Sequence, residues 1–164
     1  MMLRLFAMWI PLALLMAGCA SGPRFDPTGV ARAVTPRQAV AEITALKGTR
    51  VLWGGVVVNS ANLADATRIE VLAYPLGSSQ EPNLAANPLG RFLVLKPGYL
   101  ETADYGQGRE VTVIGPLEGV RQGKVGQASY QYPVVSAERI HLWPGPSVEP
   151  RTRFHIGVGV IFGG

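Results

Sequence analysis

The chain has 164 residues and a formal net charge of +4, with 15 Lys and Arg against 11 Asp and Glu. That length fits one compact domain with a tether and a tail, while 20 Gly and 13 Pro argue against a helical protein and for short elements joined by turns. The basic residues are scattered from Arg24 to Arg153 with no run that tracks a phosphate backbone; mild basicity of this kind suits an anionic membrane surface or cell-wall polymer.

Arg4 precedes an apolar run of 13 residues, Leu5 to Ala17, which ends at Leu15-Met16-Ala17-Gly18-Cys19. A charged start, a short apolar stretch and small residues at a cleavage site make a secretory signal. A spanning helix needs about 20 apolar residues, and Pro11 interrupts this run. Cys19 is the one cysteine in the chain, so it has no internal disulfide partner. Its position directly after Ala17-Gly18 predicts a bacterial lipoprotein signal, with residues 1–18 removed and Cys19 carrying lipid. Met16 stands at −3 of the cut, where Leu is usual. A diacylglyceryl group with a third, amide-linked chain anchors far more firmly than one myristoyl chain. Ala20 stands where an inner-membrane retention signal would place Asp, which favours the outer membrane, facing the periplasm. Nucleic acid is excluded chiefly by this address.

Residues 19–34, rich in Gly, Pro and Ala, are expected to be a lipidated tether. Thr35-Pro36-Arg37-Gln38 predicts a helix start, with Thr35 as N-cap, Pro36 at N1 and Gln38 completing a capping box. Val40, Ile43 and Leu46 place apolar groups on one side, and Gly48 is the expected stop. From Arg50 the pattern turns to β. Residues 51–58 form a first strand, whose Gly54-Gly55 predicts a bulge or bend; 59–66 reads as a turn. Residues 68–74 and 91–95 give the next strands, separated by a polar loop over 77–88, and 99–105 a short helical turn. Residues 110–115 form a fourth strand that 117–125 continues into a hairpin, and 130–135 and 139–143 are the last strands.

Five or six strands with one short helix predict a mainly β domain over 35–143. A small OB-like barrel is the expected architecture, with a β-sandwich as the alternative. Residues 144–164 begin as a Pro/Gly linker. Beyond it Phe154, Ile156, Val158, Val160 and Phe162 alternate with His155, Gly157 and Gly159, an extended segment with one apolar face. An exposed strand of this kind invites aggregation, so it is expected to dock on the barrel or on a partner.

Catalytic chemistry is sparse. His141 and His155 lie on different segments, and a zinc site completed by Glu138 or Glu149 is weaker than the reading of both as ordinary strand and tail residues. No metal or cofactor is expected. Glu101, Asp104 and Glu110 lie near one loop, where solvated charges are the default. No serine sits at a strand-to-helix elbow, and Gly106-Gln107-Gly108 opens a strand rather than the helix of a phosphate loop. The aromatic residues Tyr105, Tyr130, Tyr132 and Trp143 are the candidate ligand-binding set, because OB-type barrels bind oligomers on a sheet face. Tyr130 and Tyr132, two apart on a strand, share one face; the competing reading places these rings in the core or at a barrel end.

The motifs Trp53-Gly54-Gly55, Arg68-Ile69-Glu70-Val71-Leu72 with Tyr74-Pro75-Leu76, Gly90-Arg91-Phe92, Tyr105-Gly106-Gln107-Gly108-Arg109, Val111-Thr112-Val113-Ile114-Gly115, Tyr130-Gln131-Tyr132-Pro133 and Leu142-Trp143 come in an order that resembles the Slp family of outer-membrane lipoproteins. The resemblance covers Cys19 to Trp143. It implies an outer-membrane lipoprotein with no established enzymatic activity, a founding member known as starvation-inducible, and one functional residue, Cys19. The expected function is thus a non-enzymatic structural or interaction role in the envelope, held by covalent lipid, with an envelope protein or glycan as partner. The alternative is an OB-like module that binds a glycan, peptide or small ligand.

Overall fold

The computed structural model describes residues 25–31 and 33–145; the apolar N-terminal stretch, Cys19 and the alternating tail lie outside the described residues. Helix α1, Pro36–Ala41, starts on a closed capping box. The Gln38 N–H donates to Thr35 Oγ1 at 3.3 Å, and the Thr35 N–H donates to Gln38 Oε1 at 2.9 Å. The single helix expected from sequence is two pieces: α1 breaks at Glu42, and α2, Ile43–Leu46, follows. Gly48, at φ 83°, ends it. Ala39 is fully buried, and Ile43 and Leu46 pack beside it on the main core.

Six strands follow: β1 Arg50–Asn62, β2 Ala66–Tyr74, β3 Gly90–Pro97, β4 Glu110–Val125, β5 Ala128–Ser136 and β6 Arg139–Leu142. Their pairing runs β1-β2-β3-β5-β4, and β4 returns to β1, so five strands close a ring. All these ladders are antiparallel except β3–β5. This is the OB-type barrel, and β1–β4 pairing from Arg50↔Pro116 to Val56↔Glu110 removes the open edges that a sandwich would keep. The long β4 serves two neighbours. Its first half pairs with β1 and carries β6 on its other edge; its second half pairs with β5.

The glycines act where strands meet rather than where the sequence suggested. The bulge in β1 falls between Val57 and Asn59, not at the double glycine. A Cβ on Gly55 would strike the Leu72 carbonyl oxygen, and one on Gly115 the Ser136 carbonyl oxygen. Both positions need glycine for close backbone approach. The expected turn over 59–66 is shorter, because β1 runs on to Asn62. Fully buried Thr67 explains the extension: its hydroxyl donates to Asn62 Oδ1 at 2.6 Å and accepts from the Leu100 N–H at 2.9 Å. Residues 99–105 close as a single turn, with Asp104 and Tyr105 both donating to the Glu101 carbonyl.

Alternate residues fill the barrel. Val51, Trp53, Ile69, Val71, Phe92, Val94, Val111, Val113 and Val135 belong to one buried cluster, each large side chain contributing roughly 1.5–3 kcal/mol. A second, smaller cluster of Leu93, Tyr132 and Val134 is separate from it.

Candidate binding site

Tyr130 and Tyr132 do share one face of β5. Their rings lie 4.7 Å apart, tilted by 58°, within the smaller cluster. Both hydroxyls are engaged. Tyr130 Oη accepts from the Arg91 N–H at 2.9 Å. Tyr132 Oη lies 3.2 Å from Glu70 Oε1 and 3.1 Å from the Lys124 carbonyl, and Glu70 also pairs with Arg91 at 2.7 Å. The Tyr132 ring covers Gly123, 2.8 Å from where a Cβ would stand, and is 4% exposed. Burial, then the Glu70 charge, push its hydroxyl above the usual tyrosine range. It therefore stays a hydrogen-bond donor at neutral pH and braces the β4–β5 hairpin against β2.

Trp143 and Tyr105 lie elsewhere. Trp143 is buried, and its Nε1–H donates to Thr112 Oγ1 at 2.9 Å, which in turn donates to the Gln80 carbonyl at 2.7 Å. His141 stands edge-on to the indole at 4.5 Å. Arg109 Nη2 donates to the Trp143 carbonyl at 3.2 Å. Tyr105 packs on the main core; burial raises its hydroxyl pKa, Asp104 adds to that, and Arg109 opposes it. The four aromatic candidates thus fall in separate places, Tyr130 and Tyr132 in the smaller cluster, Tyr105 on the main core and Trp143 in neither, and do not form one surface.

Glu138 is paired with Arg50 at 2.7 Å, and His155 and Glu149 lie outside the described residues. Among the described residues no three His, Cys, Asp or Glu side chains come close enough to hold a metal ion. Glu110 has its pKa raised by burial and then by Glu81, a neighbour from the 75–89 loop that sequence order gave no reason to place there.

The concave site is at the barrel end under that loop. A cavity of about 480 Å³ is walled by Leu52 and Trp53 of β1, by Leu76 and Leu89 of the loop, and by Pro27 and Val34 of the N-terminal segment. Among the described residues no charged side chain lines it. Trp53 is held in place by its Nε1–H, which donates to the Val34 carbonyl at 2.7 Å, and by the edge of Phe92 at 5.2 Å. Bare Gly54 gives Leu76 its place: a Cβ there would stand 2.7 Å from Leu76 Cδ2.

The segment expected as tether forms one wall, because it is docked from Phe25 onward. The Phe25 N–H donates to Gln80 Oε1 at 2.7 Å, and Gln80 Nε2 donates back to the Phe25 carbonyl at 3.1 Å. The Phe25 ring is 1% exposed and lies 4.7 Å under the Arg139 guanidinium. Gln80 holds this geometry with φ at 67°, a sparsely populated region for a residue with a Cβ. None of the aromatic candidates lines this cavity. The signals that could have found it were Phe25, a lone aromatic in a Gly- and Pro-rich stretch, and the apolar Leu76 and Leu89 in an otherwise polar loop.

The closed strand order defines the protein as a small OB-type barrel domain with an N-terminal segment wrapped onto it. Residues 16–158 match the sequence profile described as the outer membrane lipoprotein Slp family, and the chain belongs to that family. The match runs past Trp143, where the resemblance in sequence ended, into the tail. It is similar to an uncharacterized protein of Haemophilus influenzae, at 42% identity over 57% of this chain and 51% of that one. It is likewise similar to the uncharacterized lipoprotein YeaY of Escherichia coli, at 30% identity over 80% and 68%, and to the outer membrane protein Slp of the same organism, at 30% over 58% and 50%. The alignment thus spans about half the length of two of these relatives. Among solved structures, a small single-stranded DNA-binding protein from Streptomyces coelicolor overlays with a TM-score of 0.39 at 19% identity, covering 58% of this chain and 94% of that one. The N-terminal domain of PriB from Thermoanaerobacter tencongensis gives 0.32 at 15%, covering 58% and 97%. Overlays this loose carry no statement about ligands.

Proposed function

We propose that Cys19 is the lipidated N-terminus of this outer membrane lipoprotein, that residues 1–18 are the signal removed before it, and that the barrel faces the periplasm in a structural or interaction role in the envelope. The role is stress-linked in this reading, as the starvation-inducible founding member of the family implies, and it involves no nucleic acid and no catalysis. The anchor rests on Cys19 directly after Ala17-Gly18, and the observation that carries the role at the surface is the docking of Phe25. Only residues 20–24 separate Cys19 from that buried ring. At no more than about 3.6 Å per residue, the leash reaches roughly 20 Å whatever its conformation. A lipid on Cys19 therefore keeps the Phe25 end of the barrel beside the membrane surface. A domain held so close acts at the surface itself rather than reaching across the periplasm.

Cell fractionation of Cys19→Ser tests the anchor. The expected outcome is a folded domain released from the membrane, or a precursor left uncleaved. A mature variant still recovered with the outer membrane would defeat the proposal and point to the tail. The second reading, a binding module for a glycan, peptide or small ligand, draws its support from the cavity rather than from the tyrosines, whose hydroxyls are engaged within the protein, and of those three ligand classes the uncharged described wall favours the small ligand.

A further inference from the structure

The cavity has a chemical character that narrows its occupant. Its volume of about 480 Å³ lies in the range of small-molecule sites. The described wall residues carry no charge, so they offer no ion-pair partner to an anionic or cationic ligand. The polar side chains that do line it are already committed. Thr35 Oγ1 accepts from the Gln38 N–H, the Gln80 amide is tied at both ends to the Phe25 backbone, and the Trp53 Nε1–H donates to the Val34 carbonyl. Only the Tyr74 and Ser78 hydroxyls remain among the side chains of the described wall. A glycan or peptide brought into this space would lose hydrogen bonds to water and find few replacements. An alkyl chain has none to lose.

Location selects among apolar ligands. Pro27 lines the cavity and stands eight positions after Cys19 in the chain. On the reading that Cys19 is lipidated, which this argument needs, the cavity wall lies within roughly 30 Å of the membrane-embedded anchor. The abundant uncharged alkyl group at that distance is the acyl chain of the surrounding bilayer. We infer that the cavity between Trp53, the 75–89 loop and the docked N-terminal segment binds one acyl chain of a membrane phospholipid. The protein would then hold the lipid surface at two points, through its own anchor and through a captured lipid.

The test uses the full lipidated protein reconstituted into phosphatidylethanolamine vesicles whose phospholipid carries a photoreactive diazirine near the end of one acyl chain. Flotation reports anchoring, and mass mapping after illumination reports what the acyl chain touches. The expected result is flotation with light-dependent label on the peptides holding Leu52-Trp53 and Pro75-Leu76-Gly77. Leu89→Trp, which fills the cavity from the loop side, should cut that label by about tenfold; Ser78→Trp at the rim should do the same if the first variant fails to fold. Failure to float overturns the anchoring and this inference with it. Flotation with no label on the cavity wall, or with wall label unchanged in a folded filling variant, overturns this inference alone. A wall peptide cross-linked to free phospholipid in the Cys19→Ser chain, added without anchoring, would further support it.

Discussion

The aromatic face of β5 and the cavity under the 75–89 loop are opposites in composition. The first holds two tyrosines, an arginine and a carboxylate, the residue types that attract attention in a sequence. Each of those groups is occupied by another: Tyr130 by the Arg91 amide, Tyr132 by Glu70 and the Lys124 carbonyl, Glu70 by Arg91. The second is walled mainly by Pro, Leu, Val and one Trp, with the Thr35, Tyr74, Ser78 and Gln80 side chains among them, and it keeps open space. Polar and aromatic groups that satisfy one another make a brace. Apolar groups that a loop and a docked segment fail to fill completely make a site.

Three substitutions probe the two regions in falling order of effect, the first breaking both and the other two breaking one each. Gly115→Val places a side chain on the Ser136 carbonyl, where β4 passes from one neighbour to the other. It should destroy both regions together, costing about 4 kcal/mol or more, read as loss of the cooperative urea transition. Phe25→Ala removes a ring that is 1% exposed and should cost about 3 kcal/mol, locally. Hydrogen exchange should speed up over 25–34 and 75–89, while the β4–β5 hairpin keeps its protection. Uniform acceleration would show that the two ends are one cooperative unit. Tyr132→Phe should do the reverse at about 1 kcal/mol, because the hydroxyl that meets Glu70 and the Lys124 carbonyl is lost. Exchange should rise in the hairpin and leave the loop unchanged.

The barrel was legible in the sequence for a physical reason. Its strands are short apolar runs bounded by turn residues, and in β2 every second residue from Thr67 to Ala73 is buried. The cap at Thr35 was equally legible, because a capping box is a contact between residues three apart. What could not be read was any contact between distant segments. Gly54-Gly55 looked like a bend, and Gly115 like any strand residue, because the true neighbours of Gly55 and Gly115, the Leu72 and Ser136 carbonyls, belong to other strands. The N-terminal segment looked like a free tether because its Gly and Pro content hides the one ring, Phe25, that Gln80 and Arg139 receive 55 and more residues later. The cavity failed to appear for the same cause. It has no motif of its own, and exists only where three stretches of chain meet.

Titration offers the mildest way to separate the regions, since each has its own sensitive group. On the aromatic face, Tyr132 has its pKa raised by burial and then by Glu70. A raised pKa means that the folded state holds the proton more tightly, so its contribution is complete below the ordinary value of 10.0 and is lost as pH rises through the folded value. Near the loop, His141 has its pKa lowered from 6.5 by burial and by Arg139, with Glu81 opposing. The folded state there disfavours the proton, so stability is complete above 6.5 and falls as pH drops through the folded value. Glu110, raised by burial and by Glu81, works against His141: its contribution grows as pH falls toward 4.5. Urea midpoints should therefore decline gently below about pH 6.5, the decline should flatten in His141→Gln, and it should steepen in Glu110→Gln. Acid should first raise exchange near Trp143 and Gln80, which the Thr112 hydroxyl links, whereas alkali should first loosen the hairpin that Tyr132 holds. If both ends respond at the same pH, the brace and the cavity wall do not titrate separately, and the contrast between them is one of composition alone.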